Sequence, residues 1–550
     1  MIALGFITAM LALAIVLLVL RKQMPSKIHA STAEASTSPS PTPDPATGCL
    51  APAEQAFLFT ENGVIYGRNL DLGENKSLRT FMGVPYATYV GRFLRAAPQG
   101  RFDHGSLVAF SRTPKRVRTN LSPAHCLNLN VWAPPACNPA KDVNNKTVIV
   151  ALAENWFRTA SLPLSPSWSE LAASEDVAVF VPNYRRGIMG FLNTGEQGVP
   201  GNAGLFDLIA ALRWIKWNAP NFGGDPDSMV ALGQGSGAAM LSLALRSLGR
   251  GFFKRAILLD MSPFSMMPRN DRYVGGSVAL RLCRLMGCRE QTGINASLYL
   301  QRSYMDETLL AYAKAMDELW FVPSFDQEPL IFPPGKLVAE YGFEGLDLMC
   351  GVDRRAGKLL FGHYLSPLLQ RADGKGKDEA SSLAKLLKYF LKETTKDFED
   401  MLPRLVGDIK THYGTAVRDN LHDVLEEFFA DLVFRCPMMM LAEEAASARQ
   451  HSSVFHFVGT TNGTQDFVLT TSQIARFAKS GKAPSLPGGQ PWVPYAKGSS
   501  RTMHLPDGAP TDTLRERCKV GRQVYDYYWR VYGTGRTVIW PIANSGRQRA

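Results

Sequence analysis

The sequence predicts an α/β fold in which a large, mostly parallel central sheet is flanked by helices. Three observations predict it. Short apolar runs recur without polar alternation, at Val148–Ala153, Val177–Val181, Val230–Leu232, Ala256–Leu259, Asp347–Val352 and Val454–Val458. A strand with one wet face alternates apolar with polar residues; a strand covered on both faces does not. Helical stretches separate these runs, and Ala203–Asn218 sets Leu205, Ile209, Leu212 and Ile215 on one side of such a helix. Parallel neighbours need long crossovers, and helices supply them. Finally, a chain of 550 residues with 45% apolar and 20% charged residues can bury one large core. No internal repeat is visible.

Taken in order, composition divides the chain into four parts. Residues 1–22 read as an N-terminal signal-anchor or signal peptide, because the first twenty carry no charge and are almost wholly apolar. A signal-peptide core needs only about 7–15 such residues, whereas about 20 span a bilayer, so length favours an uncleaved anchor through residues 1–20. Ser31-Thr32-Ala33 suits a signal peptidase but lies far from the apolar end. Arg21, Lys22 and Lys27 follow the apolar stretch and oppose this orientation, since positive charge prefers the cytoplasm. Residues 23–48 are rich in Ser, Thr and Pro and form a stalk that cannot build a core. Residues 49–535 form the folded domain. Residues 536–550 are a polar tail without a C-terminal anchor.

Charge and cysteine usage narrow the function classes. The formal net charge is +11, but the basic residues are scattered. Their one tight run, Arg112, Lys115, Arg116 and Arg118, has no interleaved aromatics, so no nucleic-acid partner is expected. The eight cysteines, Cys49, Cys126, Cys137, Cys283, Cys288, Cys350, Cys436 and Cys518, include no C-x-x-C pair. Neither a metal nor a cofactor is expected, and disulfides in an oxidising compartment fit better. Asn75, Asn120, Asn145, Asn295 and Asn462 begin N-x-S/T sequons and become glycosylation candidates once the secretory segment is granted. These lumenal signs outweigh the charge behind the apolar stretch.

Motifs then place the domain. NYRRGIMGFL, from Asn183 to Leu192, is followed by PGNAGLFDLIAALRWIKWNAPNFGGDP, from Pro200 to Pro226, and then by GQGSG, from Gly233 to Gly237. RTFMGVPYA (Arg79 to Ala87) and CLNLNVWAP (Cys126 to Pro134) precede this block, and FRCP (Phe434 to Pro437) follows it. In this order and spacing the chain resembles the type-B carboxylesterase and cholinesterase family of the α/β-hydrolase fold. Tyr184 and Arg185 within the block are read as structural. The resemblance implies a disulfide between Cys436 and Cys518. It matches Cys126 and Cys288 to halves of other family pairs, leaving Cys137 or Cys49 as candidate partners for Cys126 and Cys283 for Cys288. Cys350, in an apolar run, reads as a free core thiol.

Ester hydrolysis by this family's route needs a nucleophile, a base, a carboxylate to orient the base, and an oxyanion hole. The resemblance places each at a residue unsuited to the role. The elbow pattern G-x-S-x-G is centred on Gly235, and serine comes one place late, at Ser236. Centring on Ser236 would leave Gln234 and Ala238 where glycines are needed, so Ser236 is expected to point away from the nucleophile position. The oxyanion loop aligns with Ala153, Glu154, Asn155 and Trp156 in place of His-Gly-Gly-Gly, with Trp156 read equally as core or as filling the former gorge. The acid aligns with Ala356, with Asp353 three places earlier and expected on a loop. The base aligns with Asn462, itself a sequon. His456 lies in an apolar run and reads as a core histidine.

The expectation is an extracellular, non-catalytic, cholinesterase-like pseudoenzyme, similar to the neuroligin and neurotactin branch, that acts by binding a protein partner or a ligand in the manner of an adhesion protein. An N-terminal anchor would leave almost no cytoplasmic tail. The alternative is an active carboxylic-ester hydrolase whose rearranged site uses Ser236. A homodimer through the terminal helix is a further candidate, since Tyr525, Tyr528, Trp529 and Tyr532 recur at helical spacing within residues 511–532. The competing reading packs that stripe on its own domain.

Overall fold

A computed structural model describes residues 55–73, 76–109, 126–135, 145–154, 156–157, 167–290, 292–302, 309, 321–330, 343–365, 379–391, 396–413, 421–447, 453–459, 469–484, 491–496, 502–505, 510–511 and 513–532. The anchor or signal segment 1–22, the stalk 23–48 and the tail 536–550 lie outside the described residues, as do Cys49, Asn75, Asn120, Cys137, Asn155 and Asn462.

Among the described residues thirteen strands form one sheet. They are β1 Gln55–Thr60, β2 Gly63–Gly73, β3 Lys76–Pro85, β4 Ser106–Val108, β5 Asn128–Ala133, β6 Lys146–Glu154, β7 Ala178–Pro182, β8 Gly224–Gly235, β9 Arg255–Leu259, β10 Asp347–Asp353, β11 Val454–Gly459, β12 Thr502–His504 and β13 Pro510–Thr511. Their spatial order is β1-β2-β3-β5-β7-β6-β8-β9-β10-β11-β12-β13, with β4 beside β2. From β7 to β12 every neighbouring pair is parallel. β1, β2 and β3 pair antiparallel along this order, as does the final strand β13, while β4 lies parallel to β2. Each apolar run of the sequence is one of the buried parallel strands.

Alternate residues of each central strand enter different cores. Val148, Val150 and Leu152 of β6 join the larger cluster, whereas Ile149 and Ala151 join the smaller. This is why the run VIVALA shows no polar alternation: both faces are covered. The smaller cluster packs under α1 (Ser167–Glu175) and α12 (Thr471–Ser480). The larger packs under α3 (Ala203–Asn218), α4 (Ser236–Leu248), α5 (Arg272–Leu285), α10 (Leu421–Ala430), α11 (Cys436–Ser447) and α13 (Thr513–Tyr532). Between these lie α2 (Gly187–Phe191), α6 (Gly293–Arg302), α7 (Ala356–Leu360), α8 (Glu379–Leu391) and α9 (Lys396–Tyr413). The helix over Ala203–Asn218 has the bounds its periodicity predicts. Among the described residues no helix is long and apolar enough to cross a membrane.

The aromatic stripe of α13 is buried in its own domain. Tyr525, Tyr528 and Trp529 are nearly inaccessible. The Tyr528 hydroxyl bonds to the backbone N–H and carbonyl of Met267, and the Tyr525 hydroxyl donates to the carbonyl of Leu432. Trp529 packs edge-on against Phe325, with centroids 5.5 Å apart. These side chains are core of their own domain. The side chain of Tyr532 lies outside the described residues.

Candidate functional site

In open α/β sheets the loops at the carboxyl ends of the parallel strands gather the functional groups. Here those ends bring together Gly235 of β8, Asp260 just beyond β9, Asp353 of β10 and the loop after β6.

β8 runs to Gly235 and α4 begins at Ser236, with no residue between them. Gly235 turns the corner at φ 58° and ψ −134°, a conformation glycine enters without steric cost. A Cβ on Gly233 would collide with the Cα of Ala238, and one on Gly237 with the carbonyl oxygen of Leu152. Glycine is therefore required two places either side of residue 235, which makes Gly235 the apex of a sharp strand-to-helix elbow. Ser236 is the first residue of α4 and is fully buried. Its Oγ accepts the backbone N–H of Phe157 at 2.9 Å, so the hydroxyl turns inward, toward the loop after β6. Gly235→Ala is expected to cost about 1–3 kcal/mol in urea unfolding, because the Cβ meets a positive φ. An unchanged midpoint would show that the turn relaxes freely.

Ala153 and Glu154 still belong to β6, opposite Gln234 and Gly235. Beyond them Trp156 and Phe157 adopt φ values of 52° and 48°. Two consecutive bulky residues thus hold the left-handed conformation that glycine prefers. Packing and hydrogen bonds offset the strain. The Trp156 and Phe157 rings meet edge-to-face at 6.3 Å, and Phe157 packs on Phe191 at 5.8 Å. The carbonyl of Phe157 accepts the N–H of Gly187, and its own N–H is held by Ser236. Trp156 is 6% exposed and lies in the larger core cluster; among the described residues its Nε1 has no hydrogen-bond partner.

Ala356 opens α7 and packs against the larger core. Asp353 is not on a loop, as the sequence suggested, but ends β10 opposite Gly459, because Arg354 N–H to Gly459 carbonyl bonding carries the pairing one residue further. The Asp353 N–H donates to Oδ1 of Asp260 at 2.8 Å, and Gln234 Nε2 donates to Oδ2 at 3.2 Å. Asp260 thus ties together the ends of β8, β9 and β10. Burial raises its carboxyl to about 6, and the nearby Asp353 carboxylate adds to the effect, while the two hydrogen bonds oppose it. Sequence reading missed this residue; its signal was a lone acid directly after the apolar run Ala256–Leu259. His456 is buried in β11, with Nδ1 3.0 Å from Thr502 Oγ1, and burial lowers its pKa to about 3. It is a neutral core histidine. Among the described residues no group of three His, Cys, Asp or Glu side chains is arranged to hold a metal.

Cys436 is bonded to Cys518 across 82 residues, with Cα atoms 5.5 Å apart, tying α11 to α13. Cys283 pairs with Cys288 at the end of α5. Among the described residues the Cys126 thiol is free; it is buried beside β5, which pushes its pKa up to about 11, and its candidate partners Cys137 and Cys49 lie outside those residues. Cys350 is also a free, buried thiol within β10. Of the sequons, Asn145 before β6 and Asn295 on α6 are exposed.

A profile of the Carboxylesterase family matches residues 54–479. Carboxylesterase 5A of Canis lupus familiaris is 34% identical over 235 residues, which cover 42% of this chain and 39% of that protein. Carboxylesterase 5A of Felis catus is 29% identical over 400 residues, covering 68% of each chain. Cholinesterase 1 of Branchiostoma lanceolatum is 28% identical over 357 residues, covering 60% of this chain and 94% of that one. The profile runs from the N-terminal strands through the elbow and on to α12, and its extent agrees with the parallel sheet and its covering helices: this chain belongs to the carboxylesterase family.

Proposed function

We propose that this protein is a non-catalytic member of the family that works by binding a partner or ligand outside the cell. One observation carries the reading: the apex of the elbow is Gly235, which has no side chain to attack an ester. Ser236 does not substitute, because its hydroxyl is buried and already accepts the Phe157 N–H. Two aromatic residues, Trp156 and Phe157, follow β6 where small residues would let oxyanion donors approach a substrate. Ala356, at the acid position, cannot orient a base. Exposed Asn145 and Asn295 and the two disulfides among the described residues support passage through the secretory pathway, ending at the cell surface as a type II anchored protein or in secretion. The binding is of the adhesion type, and its partner is a protein.

Labelling the full chain with a fluorophosphonate serine-hydrolase probe tests the catalytic half of this reading, with an active carboxylesterase as control. No adduct is expected on folded protein. A stoichiometric adduct mapped to Ser236 would instead make this an ester hydrolase with a rebuilt site.

A further inference from the structure

The N-terminal corner of the sheet has an apolar face turned to solvent. β1 pairs with β2 in an unbroken register, Gln55↔Arg68 to Thr60↔Gly63, and Ala56 and Leu58 face the core. The other face of β1 carries Phe57 and Phe59, 58% and 68% exposed. Register aligns Phe57 with Tyr66 of β2, and Tyr66 with Val108 of β4, which is 63% exposed. The Phe57 ring lies 6.0 Å from Phe59 and 6.5 Å from Tyr66. Antiparallel sheets usually turn polar residues to water, and a contiguous apolar face marks an interaction surface.

The edge is open as well as the face. β1 is the terminal strand of the sheet and, among the described residues, is paired on one side only. Exposed edges are normally blunted by charge, proline or a bulge. QAFLFT contains no charge and no proline, and its register has no bulge. A lipid surface would cover the rings but leave the edge N–H and C=O groups unpaired. An added strand pairs the edge and sets its own side chains beside the rings.

We infer that β1 pairs with β1 of a second copy of this chain, antiparallel across a two-fold axis that continues the sheet. A two-fold axis normal to the sheet keeps the outward faces outward, so only residues of like face lie opposite one another. With Leu58 on the axis, Phe57 stands opposite Phe59 of the second copy and Ala56 opposite Thr60, using β1 residues alone. Four phenylalanine rings then form one ladder, a favourable cross-strand arrangement. The interface is electrically neutral at its centre, so like charges do not meet on the axis. The two rings expose on the order of 250 Å² per copy. The two rings and the paired backbones bury less than the roughly 1,200 Å² of stable specific interfaces, which suits a weak, concentration-dependent dimer.

Sedimentation equilibrium of the full chain in non-ionic detergent tests this. The mass is expected to rise from one copy to two in the micromolar range, and Phe57→Lys/Phe59→Lys to weaken association at least tenfold with unchanged near-ultraviolet circular dichroism. Mild oxidation of Phe57→Cys/Phe59→Cys is expected to cross-link the dimer, and Phe57→Cys alone to do so far less. Equal cross-linking by the single variant overturns the register. A chain that stays monomeric, or a dimer untouched by the lysines, overturns the interface. So does a monomer whose face instead takes up brominated-lipid vesicles, the sign of a membrane contact.

Discussion

Asp260→Asn is expected to stabilise the protein by about 3 kcal/mol at neutral pH and to leave it nearly unchanged near pH 4. Burial among β8, β9 and β10 raises the Asp260 carboxyl to about 6 from the ordinary 3.8. The sign follows from proton uptake. A raised folded-state value contributes stability that is fully present below pH 4. That contribution is lost as pH climbs through 6, because the unfolded chain ionises first. Asparagine has no charge to bury. It also keeps the hydrogen bond to Gln234, with donor and acceptor exchanged. In the parent Gln234 Oε1 has no partner among the described residues, while Gln234 Nε2 donates to Asp260. In the variant the Gln234 amide turns over, and its oxygen accepts from the new Nδ2. The Asp353 N–H keeps its acceptor. Urea unfolding of parent and variant between pH 4 and pH 8 measures the difference. A variant less stable than the parent at pH 7.5, or a difference that does not change with pH, would contradict the argument.

Arg185→Met is expected to cost about 3–5 kcal/mol. The guanidinium donates to both oxygens of Asp207, Nε to Oδ2 and Nη2 to Oδ1, each at 2.7 Å. Neither side chain reaches water. Arg185 also donates to the carbonyl of Leu94, pinning the segment before β4 to α3. Methionine fills much of the volume but leaves the Asp207 charge buried without its counter-ion. The double change Arg185→Met/Asp207→Leu is expected to be less damaging than the single one, since no charge is then stranded. Unfolding midpoints for both variants decide it. A single variant no worse than the double would mean that the pair contributes little to the fold.

The sequence by itself determined the parallel sheet, the helix Ala203–Asn218 and the elbow register. These follow from periodicity and from local sterics. A strand covered on both faces must be apolar throughout, as VIVALA is, and close packing at residues 233 and 237 admits only glycine. The Cys436–Cys518 pair was legible through family resemblance, not through spacing.

Tertiary structure alone decided the rest. It buried Cys126, turned the stripe Tyr525, Tyr528 and Trp529 into core, and extended β10 to Asp353. It joined Asp260 to Gln234 and Asp353 from three separate strands, and it left Phe57 and Phe59 facing water. The reason is physical. Apolar period tells a residue which face of its own element it occupies. Whether that face meets a core, a carboxylate or solvent depends on which distant strands and helices come to lie beside it, and local sequence carries no term for that.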